Sequence, residues 1–278
     1  MDPSERISDA AELGRALFPE LAARVGASAP GPADGDAAEH WLRAETERLR
    51  AGAWGPGLAR FRDTSAGERL RDAFARASEV ALALGVFLPE PESFFVAGVP
   101  RGEPADGDLP VPAPHGLGLA GWQRLFSGSS PSGWPRLVCS TEVVRWFAAL
   151  DAVPAPDAAI PPLRGRPGQP RWTLRWLPAD PAPPEVGRPF QAARPGEHPS
   201  LPELLMLQAM RVVRGEPLLD PHGFTWLAGA LPDARFAARH GADPARGAIR
   251  ISTRDRGDQG PHIGTRPARQ GRSSGPAT

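Results

Sequence analysis

Apolar positions change their spacing near residue 85. Before it they recur every three or four residues, the period of an amphipathic helix. Across 65–84, Leu70, Phe74, Ala77, Ala81 and Leu84 form one stripe, with Ser65 and Glu68 as the N-terminal cap and Gly85 as the stop. An earlier segment, "SDAAELGRALFPELAARVG", places Leu13, Leu17, Leu21 and Val25 at spacing four behind Ser8, and Pro19 should bend it. Asp36 and Glu39 open a further helix in "AAEHWLRAETERLRAG".

Beyond residue 85 the pattern shortens. "SFFVAGV" reads as a buried strand, 143–150 as a short helix behind Ser140 and Thr141, and "RWTLRWL" as a strand with Trp172, Leu174 and Trp176 on one face. Proline-rich connectors such as "DAVPAPDAAIPPLRGRPGQP" carry no period and read as surface loops. In the last third, Ser200, Glu203 and Gly215 bracket a helix over 201–214 whose polar positions, Gln208, Arg211 and Arg214, are few. "FTWLAGA", "ARFAARH" and "AIRISTR" follow it as three strand-length segments separated by turns, the pattern of an antiparallel meander packed on that helix. The expected fold class is α+β. It has a helical part over 1–88, an α+β part over 89–267 and a disordered tail over 268–278.

Composition narrows the chemistry. Hydrophobic residues are 41% and charged residues 23%, enough for a core, while 35 prolines and 31 glycines demand many loops. Lysine, asparagine and tyrosine are absent, a bias expected of a very GC-rich genome. Without lysine there is no Schiff base and no ordinary P-loop, and without asparagine no Cys-His-Asn triad. Cys139 stands alone, which excludes an intramolecular disulfide and a cysteine-based zinc site. The acidic start "MDPSERISD" and the lack of about 18 consecutive apolar residues predict a cytoplasmic protein with no membrane association.

Formal net charge is zero, which argues against a nucleic-acid partner. The charge is uneven, however: ten acids against six arginines leave about −4 over 1–50, and nine arginines against four aspartates leave about +5 over 232–278.

Period-two alternation places Arg235 and Arg239 on one face of the second meander segment and Arg250 and Arg254 on one face of the third. Four guanidiniums on one sheet surface would suit a small anionic ligand or a protein partner. A second candidate is the loop after the last strand, where Asp255, Asp258 and His262, with His240 nearby, could form an acid/base set or hold a divalent metal. Their spacing matches no metal motif, and the same residues make an ordinary tight turn. No cofactor is expected. Cys139, in the apolar run "RLVCST", reads as a small buried hydrophobe, and Trp122, Trp134, Trp146, Trp172, Trp176 and Trp226 as core volume. The twice-occurring "PADGD" reads as a polar turn rather than a calcium loop.

The order of "SLPELL", "FTWLAG", an arginine-led strand at Arg235, "IRIS" and Pro261-His262 closely followed by Gly264 resembles the C-terminal part of an actinobacterial family catalogued as a domain of unknown function. The resemblance covers about a third of the chain and implies a fold pattern but no activity. The sequence thus favours a noncatalytic binding or interaction protein. The competing expectation is a metal-dependent or acid/base hydrolase using Asp255, Asp258 and His262.

Overall fold

The computed structural model describes residues 61, 64–96, 105–128, 133–153, 159–160, 169–194 and 196–268. The chain divides into two units, Met1–Trp54 and Gly55–Thr278, and every described residue lies in the second. The helices expected around Ser8 and Asp36, and all but the first residue of the tail, lie outside the described residues.

Helix α1 (Ser65–Leu84) buries Leu70, Phe74, Ala77 and Ala81 as its stripe requires. Its cap is Thr64 rather than Ser65, because the Thr64 hydroxyl accepts from the Gly67 N–H at 3.1 Å. Gly85, at φ +70°, ends the helix in the left-handed region. The next segment corrects an expectation: residues 93–96 of the predicted strand "SFFVAGV" belong to a short helix, α2 (Pro91–Val96), and the rest of that segment lies outside the described residues. Pro91 presets the first turn and Glu92 suits its positive end. Phe94 then packs edge-on to Phe74 at 5.6 Å, and Phe95 to Phe61 at 5.5 Å. Aromatic β-propensity is overridden by this packing.

Strand β1 (Asp108–His115) pairs antiparallel with β3 (Arg171–Pro178) in a two-stranded ladder. Pro110, Pro112 and Pro114 stand at alternate positions opposite Trp176, Leu174 and Trp172. Alternate N–H groups of a strand point to the same edge, so the prolines remove donors only from the edge turned away from β3. At the turn before β1, the Asp108 carboxylate accepts from the Ala105 N–H at 2.9 Å, so one copy of "PADGD" is in part a closed polar turn.

Between these strands lie α3 (Gly118–Leu125), β2 (Arg136–Cys139) and α4 (Thr141–Leu150), the last capped by Ser140 as expected. After β3 come β4 (Glu185–Val186) and α5 (Leu201–Val213), which has a complete Ser200–Glu203 capping box. Every residue of α5 from Leu201 to Arg211 is buried, because the helix packs on α1 and β1 and also meets the larger sheet through Gln208.

The larger sheet contains the expected meander of β5 (Phe224–Trp226), β6 (Phe236–Asp243) and β7 (Ala248–Asp255), antiparallel throughout. Parallel neighbours extend it on both sides: β2 beside β7, and β8 (Ile263–Thr265) beside β5, with β4 closing the far edge in the order β2-β7-β6-β5-β8-β4. The fold is α+β, and the described residues form one antiparallel ladder and one mixed sheet. Trp122, Trp172, Trp176 and Trp226 are buried, whereas Trp146 is 40% exposed. No helix among the described residues is long and apolar enough to cross a membrane.

Candidate functional site

The meander register decides which side chains share a surface. Arg239 stands opposite Ser252, Gly241 opposite Arg250 and Ala237 opposite Arg254, so these positions face one way. The opposite alternation, including Ala238, His240, Ile249 and Ile251, is buried inward. The outer face is divided in two. At the β5 and β8 end, a strap around Phe190 covers Trp226, Ala237 and Ile263; the Phe190 N–H donates to the Arg256 carbonyl and Trp226 Nε1 to the Arg188 carbonyl. At the β6, β7 and β2 end, Arg250, Arg254, Arg136 and Val138 are exposed.

Arg239 sits at the boundary. Its guanidinium lies over the Phe224 ring, and its Nε donates to the Ser252 hydroxyl at 3.1 Å. Burial lowers its pKa, and the neighbouring charges of Arg254 and Arg250 lower it further, with Asp258 partly compensating. Arg254 Nε donates to Asp258 at 2.6 Å, and Arg250 has no hydrogen bond or ion pair among the described residues. Arg235 leaves the group. It lies 3.8 Å from Asp255 and stacks on Phe236, two residues of the opposite alternation. Arg136, on the neighbouring parallel strand, takes its place. Sequence reading missed it because nothing local announces that 136–139 pairs with β7.

The acid/base candidates are not drawn into one pocket. Asp255 accepts from the Gly257 N–H and Asp258 from the Gly260 N–H, each at 2.9 Å, which shapes the turn. The hydrogen bonds from Arg254 and Gly260 hold the Asp258 carboxyl below its ordinary range. The exposed His262 ring packs near Gly260 and edge-on to Phe224 at 6.2 Å. Asp255 and Asp258 line an open depression of about 550 Å³ with Phe236, Thr253, Arg254 and Gly257, without either histidine.

His240 is separate from them, completely buried, with Nδ1 2.8 Å from Asp220 and Nε2 3.0 Å from the Gln208 amide nitrogen. The Gln208 oxygen already accepts from the Leu219 N–H, so its nitrogen faces His240 as donor. Nε2 therefore accepts, Nδ1–H donates to Asp220, and no lone pair is left for a substrate proton. Among the described residues no three or more metal-ligating side chains cluster. Cys139, expected to be buried, is only partly so, and burial pushes its thiol up to about 12, which disfavours the thiolate.

Two buried polar networks escaped the sequence reading. Asp220, at φ +55°, accepts from His240 and from Arg266 at 2.9 Å; burial alone would raise its carboxyl, but these partners hold it below the ordinary range. Glu203 receives two donors from Arg175 and lies beside Thr173, whose hydroxyl is 3.0 Å from His115 Nε2. Both networks are enclosed and tie elements together. No family model, curated protein or solved structure matches the chain.

Proposed function

We propose that the protein is a noncatalytic binding protein that recognises a negatively charged partner through the open face of β2, β7 and β6. The observation that carries this reading is the imbalance of charge there. Arg136, Arg239, Arg250 and Arg254 share the surface, and among the described residues the only carboxylate paired with any of them is that of Asp258. A solvated cationic face without a partner gains little from its surroundings, whereas desolvation against an anionic surface strengthens each guanidinium contact.

Binding of acidic polypeptides to the full chain tests this. Affinity should fall as salt rises, because exposed charges are screened over about 8 Å at physiological ionic strength. The Arg136→Ala and Arg250→Ala variants should each weaken it while leaving the melting temperature within a degree or two. Affinity unchanged by both substitutions would sink the reading.

A further inference from the structure

Within this face, and resting on the reading just given, we infer that Ser252 and the three arginines around it form a seat for a phosphate monoester carried on a protein segment. The geometry starts from Ser252 at the centre of the exposed half of β7. Arg250 and Arg254 flank it two positions away on the same face, and Arg239 stands directly across the strand pair. Side chains two residues apart on a strand are separated by roughly 7 Å and directly paired ones by about 5 Å, within the reach of an arginine side chain.

Donor bookkeeping then selects the ligand. Arg239 uses Nε on the Ser252 hydroxyl, and its remaining nitrogens have no partner among the described residues. Because the Ser252 oxygen accepts that bond, its own O–H is free to point outward as a donor. Arg254 uses Nε on Asp258, and Arg250 uses none of its nitrogens. The group therefore presents several donors and no free anionic acceptor. A dianionic tetrahedral group with three terminal oxygens satisfies guanidiniums approaching from three sides, and a single planar carboxylate satisfies fewer.

The seat is also preorganised. Gly241 lacks a side chain where the Phe224 ring crosses β6, and a Cβ there would lie 2.7 Å from that ring. Phe224 in turn supports the Arg239 guanidinium from below, at 3.8 Å. Arg250 and Arg254 are exposed, so free phosphate would lose little water on binding. A polypeptide carrying the phosphate would also cover Val138, which is 40% exposed and stands beside Arg250 on β2.

Calorimetric titration of the full chain with three probes tests the seat: inorganic phosphate, a short peptide with one phosphoserine, and the same peptide with glutamate in its place. The phosphoserine peptide should bind about tenfold tighter than the glutamate peptide. Arg250→Ala should abolish that preference, and Arg124→Ala, on α3, should preserve it. Ser252→Asp fills the seat with an internal carboxylate and should abolish the preference with the fold intact by circular dichroism. Equal binding of the two peptides overturns the seat but leaves the anionic-partner reading standing, whereas binding of neither removes both. Phosphate binding without peptide preference would overturn the assignment to a polypeptide, and equal losses in the Arg250 and Arg124 variants would reduce the effect to general charge attraction.

Discussion

The Arg239 guanidinium lies 3.8 Å from the centre of the Phe224 ring, held between that ring and the hydroxyl of Ser252. One cation is thereby fixed in place by neutral neighbours while two others, Arg250 and Arg254, act on it by repulsion. Fixing it this way depends on the absence of a side chain at Gly241.

Gly241→Ala should therefore be costly. The added methyl would meet the Phe224 ring at 2.7 Å and, less forgivingly, the Gly223 carbonyl oxygen at 2.8 Å. Overpacking of this kind costs about 1–3 kcal/mol, to be read from urea unfolding. The same variant should weaken binding of acidic peptides, because the Arg239 support moves.

Arg175→Met should destabilise by about 3–5 kcal/mol, since it leaves the buried Glu203 carboxylate without its cation. Adding Glu203→Gln should recover part of the loss, and a double-mutant cycle measures the coupling. Burial alone would raise the Glu203 carboxyl, yet Arg175 outweighs it and holds the group at about 2, against an ordinary 4.5. A depressed value means that the pair's contribution is complete above about 4.5 and is lost as pH falls towards about 2.

Asp151 has the opposite sign. Burial pushes its carboxyl up to about 6 from 3.8, only partly offset by the N–H of Gly118 at 2.7 Å and the Trp122 indole at 3.4 Å. The protonated form is favoured in the fold, so its contribution is complete below about 3.8 and is lost as pH rises through about 6. The difference in stability between the parent and Asp151→Asn should thus change by up to roughly 3 kcal/mol between pH 4 and 7. Urea curves collected across that range check it, and a pH-independent difference would contradict the assignment.

Leu204→Ala in the centre of α5 should cost about 2–5 kcal/mol, because the side chain is fully buried in a helix enclosed almost all round. Thermal and urea unfolding should agree on the loss.

Much of this architecture was legible where local rules act alone. The capping box at Ser200, the stop at Gly85 and the alternation of Arg239, Arg250 and Arg254 follow from short-range geometry, and the structure places each accordingly. Elements decided by remote packing were not legible. Phe94 and Phe95 carry strand propensity but are held in a helical turn by Phe74 and Phe61. Arg136 joins the arginine face only through a parallel pairing with a strand far along the chain. His240 did carry a usable signal, since it alternates with Ala238 and Ala242 and so faces away from Arg239. What encloses it, Gln208 and Asp220, comes from other segments and has no local signature.

The three prolines of β1 also govern what this strand can do outside the fold. An eight-residue strand that is almost wholly buried would be a template for aggregation whenever the chain opens. Its outward edge offers carbonyls but no N–H groups at Pro110, Pro112 and Pro114, so an incoming strand finds no complete ladder to join. The same residues that hide the strand from a reader of the sequence protect it from unintended partners, and replacing them with valine would be expected to strengthen the strand pattern while making refolding at high concentration prone to precipitation.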